Sequence, residues 1–396
     1  MVIDAKIQDF GDIITGKTPS TSNKSYWGCH YPFITPSDYG FNDRYIYTTD
    51  RQISIQGANS QKKTILPKNS ICITCIGSTI GKICMTVKPS ITNQQINSII
   101  CNENYDSYYV FYLLKYCIPF LQMYGSGTGS GVPIISKNKF GKIKLTAESS
   151  LPLQRRIASI LSAYDNLIEA NSRRIKILEQ MAENLYKEWF VRFRFPGYQT
   201  TPIENGIPKG WKVEKLVDFA NVIMGQSPES EYYNENGEGL PFHQGVGSYG
   251  DFYLKDQVYT TKGSRVAEPF SIIFSVRAPV GRININLTKI VLGRGVSSIN
   301  AKNAANAFLL WLLKYKFSKE DSIGNGSIFT SVTKEELLKQ KLVIPSEDIL
   351  LKYNSIASNI EKQIRDLTHQ SANLTRQRDL LLPRLMSGQL TPLTNQ

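Results

Sequence analysis

Three short patterns in the sequence have residue types suited to chemistry. Gly77-Ser-Thr-Ile-Gly81-Lys82 has the glycines and lysine of a loop that cradles phosphate with backbone amides. It is one residue short, no Ser or Thr follows the Lys, and a matching segment later in the chain reads Arg277-Ala-Pro. Nucleotide binding is therefore rejected. The run Gly125-Ser-Gly-Thr-Gly-Ser-Gly131 ends in Val132-Pro133 instead of opening a helix, which argues against a dinucleotide fingerprint and for a loop that faces solvent or a ligand. Cys72 and Cys75 form a CxxC, but within the β-branched run ICITCIG. In a strand, positions three apart face opposite sides, so a metal knuckle is not expected.

Catalytic constellations are also missing. His30, His243 and His369 fall at unrelated places, and no Ser/His/Asp or paired-carboxylate pattern recurs. An adenine methyltransferase would need a glycine-rich cofactor loop after a strand and a Pro-Pro-aromatic motif for the target base, and neither is found. The expectation is a chain that is not itself an enzyme and carries no cofactor.

What the sequence does contain is itself, twice. Phe10-GDIITGKTPS returns as Phe219-ANVIMGQSPES, keeping the Phe, Gly16 with Gly225, and Pro19 with Pro228 at an offset of 209. Pro32-Phe33 matches Pro241-Phe242 at that offset, and Tyr39-Gly40 matches Tyr249-Gly250 one residue further on. IGSTIGKI from Ile76 lies opposite VRAPVGRI from Val276, and NQQINSI from Asn93 opposite GRGVSSI from Gly293, both at an offset of 200. Leu113-Leu-Lys-Tyr116 matches Leu312-Leu-Lys-Tyr315, and Gly127-Thr-Gly-Ser130 matches Gly324-Asn-Gly-Ser327. Blocks that keep one order imply two copies of one folded unit.

After each copy comes a segment whose apolar residues step by four and three, the heptad pattern of a helix packed along one stripe. The first runs Ile157, Leu161, Tyr164, Ile168, Asn171, Ile175, Leu178, Ala182, Leu185 and Trp189. A helix over residues 152–190 would span roughly 58 Å. The second runs Ile356, Ile360, Ile364, Leu367, Ser371, Leu374, Arg378, Leu381 and Leu385. Asn171 and Ser371 are polar intruders at seam positions, where a buried polar side chain can fix register.

These elements define an α+β chain: two α/β recognition domains related by a pseudo-twofold axis and separated by two long antiparallel coiled-coil helices. The expected divisions are 1–150 for the first domain, 151–195 for the central helix, 196–209 for a Pro/Gly-rich linker, 210–345 for the second domain, 346–388 for the second helix and 389–396 for a tail. Such a spacer exceeds the roughly 34 Å of one DNA turn, as reading two half-sites along one duplex requires.

Charge points the same way. Lys and Arg total 46 against 33 Asp and Glu, a formal net charge of +13. The excess is spread through both copies and both helices, which suits folded domains gripping an acidic polymer. No basic leader or stretch of roughly 18 apolar residues is present, so a cytoplasmic protein is expected. All six Cys lie between Cys29 and Cys117, which argues against a disulfide framework shared by the copies.

The order of blocks, Pro208-Lys-Gly-Trp211 at the opening of the second copy, and LPLQRRIASILSAYDNLIEANSRRIKILEQMAENLYKEWF between copies resemble the type I restriction-modification specificity subunits. The resemblance implies a DNA-binding subunit whose two target-recognition domains each read one part of a bipartite, asymmetric sequence. The helices would set the spacing and dock two methyltransferase subunits. Those partners would carry S-adenosylmethionine and methylate adenine, while restriction and translocation motor subunits would use ATP and magnesium. Two departures stand out: the first copy lacks the Pro-x-Gly-Trp opening, and the second junction, from Pro345, lacks the Gln found at Gln154.

The residues expected at DNA are the polar ones in repeated loops. They are Lys17, Thr18, Ser20, Ser78, Lys82, Thr128 and Ser130 in the first copy, and Gln226, Ser227, Gln244, Arg277, Arg282 and Arg294 in the second. Arg and Gln suit bidentate contacts to guanine and adenine edges, while solvated loop positions and phosphate contacts are the plainer alternatives. Two other functions stand as competitors. A methyltransferase or nuclease with a divergent site would act as the purified chain alone. A coiled-coil adaptor would show no steep loss of DNA affinity with salt.

Overall fold

The computed structural model describes residues 2–126, 133–317 and 331–392. Two compact units divide the chain: Met1–Ser172 with His369–Gln396, and Arg173–Thr368. The expected blocks 1–150 and 210–345 each carry one set of sheets, and the unit boundaries fall inside the two long helices, Leu151–Tyr186 and Glu347–Met386.

In the first unit, five strands lie in the order Gly11–Thr15, Ile96–Cys101, Ile71–Thr74, Ile83–Thr86, Tyr45–Ile46. Ile71–Thr74 is buried along its whole length, which is why it reads as a continuous β-branched run and not as an alternation. One face packs under helix Ser107–Tyr116, whose Asp106 caps it by accepting from Tyr108 N and Tyr109 N at 3.0 Å. The other face meets Ile34, Tyr39, Ile46 and Leu66. A three-stranded sheet (Arg51–Ile53, Trp27–Ile34, Ile91–Thr92) and a pair (Val2–Lys6, Lys144–Glu148) complete the unit.

The second unit repeats this topology. Ala220–Met224, Val296–Ala301, Ile272–Ser275 and Ile283–Ile285 form a sheet in the matching order. A single parallel bridge from Tyr253 to Ile285 stands where Tyr45–Ile46 pairs with Met85 and Thr86. Leu240–His243 pairs in parallel with Ile290–Leu292, as Trp27–Ile34 does with Ile91–Thr92. The expected linker holds a small hairpin, Ile203–Glu204 with Ile207–Pro208, across Asn205-Gly206, both at positive φ. That is the dipeptide a two-residue hairpin turn selects.

Each unit contains an antiparallel pair of helix segments. In the first, Asp165 Oδ1 accepts from Arg378 Nη1 at 2.5 Å, and Asn171 Nδ2 donates to Gln370 Oε1 at 3.0 Å and Ser371 Oγ at 3.3 Å. Rising numbers on one helix meet falling numbers on the other. Ile157 and Leu161 are buried, Ile168 is half-buried, and Leu381 packs with Leu382, Leu385 and Met386 against the same core, while Leu374 is half-buried. In the second unit, Tyr186, Trp189 and Phe190 gather around Tyr353, with Ile175, Leu178 and Leu185 packed alongside. Ile360, Ile364 and Leu367 keep the expected seam.

Ile356 departs from it. Its side chain is 43% exposed, and fully buried Ala357 takes the seam position. The stripe runs Tyr353, Ala357, Ile360, and an aromatic followed by a small residue does not announce itself as a heptad.

The missing glutamine of the second junction has a replacement. Gln154 Oε1 accepts from Asp106 N at 2.9 Å, and its Nε2 reaches Asn104 O at 3.5 Å. In the second unit Asn354 Oδ1 accepts from Phe308 N at 3.3 Å, and its Nδ2 donates to Ala304 O at 3.3 Å. An amide thus ties each long helix to the start of the helix beneath the sheet.

Candidate nucleic-acid interface

At one end of each unit several loops are pressed together by glycines. In the first, a Cβ on Gly16 would lie 2.2 Å from the carbonyl oxygens of Thr92 and Asn93, so only glycine permits that approach. Lys17 follows, exposed, and Thr18 reaches the 92–95 turn, where its Oγ1 donates to Gln94 Oε1 at 2.7 Å. Asn93 N donates to Ile34 O at 3.0 Å, which brings in the loop after Trp27–Ile34. Ser20 Oγ lies 2.7 Å from Ser22 Oγ, and Ser20 O accepts from Trp27 Nε1 at 3.2 Å.

The second unit repeats this closure with other side chains. A Cβ on Gly225 would lie 2.1 Å from Gly293 O, and one on Gly295 would lie 2.1 Å from Gln244 O. Gln226 N donates to Leu292 O at 2.8 Å, and Arg294 N to Ser227 Oγ at 3.2 Å. Gln226, Ser227, Gln244 and Arg294 are thereby brought onto one surface, with Gln226, Gln244 and Arg294 exposed.

The hairpin loops holding Ser78 and Arg277 join the same end through equivalent hydrogen bonds. Cys75 N donates to Gln95 O and Val276 N to Gly295 O, each at 2.9 Å. Arg277 is exposed and its backbone bridges to Ser331. Arg282 is exposed, and its backbone N donates to Ser275 Oγ at 2.8 Å. Lys82 behaves differently: it is half-buried, and its ammonium donates to Pro36 O at 2.9 Å, beside the Phe41 ring. It ties two loops together. Thr128 and Ser130 lie outside the described residues.

Two residues of this surface escaped the sequence reading although signals for them existed. Gln94 occupies the place of Arg294 at the repeat offset of 200. Tyr233 follows the turn Ser230–Tyr232 and packs on Phe242 as Trp27 follows the turn Lys24–Tyr26 and packs on Phe33. It accepts from Gln244 Nε2 at 3.0 Å and donates from its hydroxyl to Pro228 O at 2.8 Å. Two hollows of about 340 Å³ each flank Tyr232 and Tyr233, one lined by Gln226, Ser227 and Lys262, the other by Phe242, Gln244 and Val258.

His243 sits under this surface. It is 1% exposed, with Nδ1 at 2.8 Å from Ser248 Oγ and Nε2 at 3.0 Å from Asp256 Oδ1. Ser, His and Asp do meet here, among the described residues in the second unit alone; Ile34 holds the matching position in the first. Both ring nitrogens are engaged and the ring is enclosed, so the trio pins the 244–248 loop to the 256–258 strand approach. Among the described residues no group of His, Cys, Asp and Glu could hold a metal ion, and no helix is long and apolar enough to cross a membrane.

Two copies of one mixed sheet-and-helix unit, each presenting polar loops at one end and continuing into a long helix, define a duplicated recognition protein. The chain belongs to the family of the type I restriction modification DNA specificity domain, whose model matches residues 4–180 and 208–375. It is 28% identical to the type I restriction enzyme MjaIX specificity subunit of Methanocaldococcus jannaschii, over 97% of this chain and 92% of that protein. It is 33% identical to the MjaX specificity subunit of the same organism, a putative assignment by its name, over 67% of this chain and 65% of that protein. In fold it is similar to the crystal structure of the S subunit from M. genitalium, with a TM-score of 0.62 and 16% identity over 100% of this chain and 97% of that one. The chain is a DNA sequence-specificity subunit of a type I restriction-modification system.

Proposed function

We propose that each unit reads one half of a bipartite, asymmetric DNA sequence, and that the chain itself carries out no chemistry. The observation that carries this reading is the loop surface present in both units with different side chains: Lys17, Thr18 and Gln94 in one, Gln226, Gln244 and Arg294 in the other. Equal folds with unequal reading groups suit unequal half-sites.

The two long helices set the spacing between half-sites and dock two methyltransferase subunits. These bring S-adenosylmethionine and methylate adenine, and motor subunits bring ATP and magnesium for translocation and cleavage. The complex works on double-stranded DNA in the cytoplasm. Sequencing adenine methylation in cells with and without this gene tests the reading: one split asymmetric motif should depend on it, and an unchanged methylation pattern would sink the idea. Removing matched heptads from both helices should then shorten the spacer in that motif.

A further inference from the structure

The hollow beside Gln244 has a lining that fits one base pair. Tyr233 donates its only hydroxyl hydrogen to Pro228 O at 2.8 Å, so toward Gln244 it can only accept. The amide of Gln244 is thereby fixed with Nε2 on Tyr233, at 3.0 Å. Its carbonyl oxygen and second N–H remain, and among the described residues they have no partner. The hollow beside the amide is lined by Tyr233, Phe242 and Val258 together with Ser248 and Gln257, and the rings of Tyr233 and Phe242 lie tilted at 4.7 Å. Gly245 and Gly247 leave this side open, since a Cβ on either would meet nothing within 4 Å.

In the major groove an A·T pair offers an acceptor at N7 and a donor at N6 on adenine, and a methyl group on thymine. A fixed glutamine amide matches the first two, and an apolar hollow matches the third. We propose that Gln244 reads an A·T pair in the half-site of the second unit, with the thymine methyl seated against the half-buried Tyr233 and Val258. This rests on the reading that each unit recognises a half-site. Arg294, on the turn whose Gly293 and Gly295 close on the Gln244 backbone, supplies positive charge beside the amide. His243 is a positioning residue that holds the loop through Ser248 and Asp256. The first unit does not repeat the device: Thr35, at the matching position, spends its backbone N and hydroxyl on Asp38 at 2.7 Å.

The test uses the full chain and a randomised duplex library, followed by affinity measurements on the selected site with each thymine replaced singly by deoxyuridine, which lacks the methyl. Wild type should select a bipartite site in which one deoxyuridine weakens binding about four-fold. Gln244→Ala should bind that site about ten-fold more weakly and accept any pair at that one position. Tyr233→Phe should relax the same position while leaving affinity for random duplex unchanged. If wild type selects a site and Gln244→Ala selects it with the same preference everywhere, or no deoxyuridine matters, the proposal is wrong and the half-site reading stands. If wild type selects no sequence at all, both fall.

Discussion

Asp165 and Arg378 stand 213 positions apart in sequence and meet at 2.5 Å inside the first unit, with side chains 6% and 7% exposed. Tyr112 donates its hydroxyl to the other carboxylate oxygen at 2.5 Å, and Asp379 takes the far side of the guanidinium at 2.8 Å. Arg378 falls on the heptad seam, where an unpaired cation would be costly, and Asp165 is what makes it tolerable. Burial and the Asp165 carboxylate push Tyr112 above its ordinary range.

Breaking this pair should be far worse than removing it. Arg378→Ala leaves a buried carboxylate and should lower stability by about 3–5 kcal/mol, whereas Asp165→Leu with Arg378→Met should recover most of that loss. Urea unfolding of the two variants, followed by amide exchange in residues 151–172, reads the difference. Equal losses would contradict this account.

The second unit should respond to pH through Glu361. Burial raises this carboxyl to about 7 from an ordinary 4.5, against the pull of nearby Lys314, whose own pKa burial lowers. The folded state holds the proton after the unfolded state has released it, so stability falls as pH rises from about 4.5 to 7 and levels off above. The drop should be about 3 kcal/mol, and Glu361→Gln should flatten it. Tryptophan fluorescence follows this unit, which holds Trp189, Trp211 and Trp311, and a slope that survives the substitution would assign it elsewhere.

Gly225→Ala and Gly295→Ala each place a carbon 2.1 Å from a backbone carbonyl, which no side-chain movement relieves. Both variants should keep their helical circular dichroism and lose selectivity in one half-site only. Gly16→Ala should affect the other half-site, through Thr92 and Asn93.

Arg294→Ala and Arg277→Ala separate base reading from backbone grip. If the side chain grips a phosphate, its removal should weaken all sequences alike and reduce the slope of log affinity against log salt by about one. If it reads a base, removal should instead relax one position with the slope nearly kept. Titrations at several salt concentrations on selected and random duplexes distinguish the two.

Much of this was legible in the chain before folding. Glycines that no other residue can replace, Gly16 and Gly225, marked the loop end in both copies, and heptads marked the helices. What escaped was set by side-chain direction and long-range pairing. Lys82 looked free but turns inward to Pro36, Asn354 does the work of Gln154 one methylene shorter, and Ile356 yields its seam position to Ala357. None of these leaves a periodic trace, because each depends on which neighbour lies across the fold.

The first unit is sewn from both ends of the sequence: Leu382, Leu385 and Met386 complete a core begun by Ala5 and Ile7. On the ribosome, the second unit has its full sequence before the first can close. Until the last helix emerges, Asp165 has no Arg378, and the face built on Ile157 and Leu161 lacks its cover. Such long-range closure is slow and leaves apolar surface waiting. A premature stop anywhere between residue 172 and the last helix therefore leaves the first unit unfinished, so only chains translated through both long helices present two working surfaces.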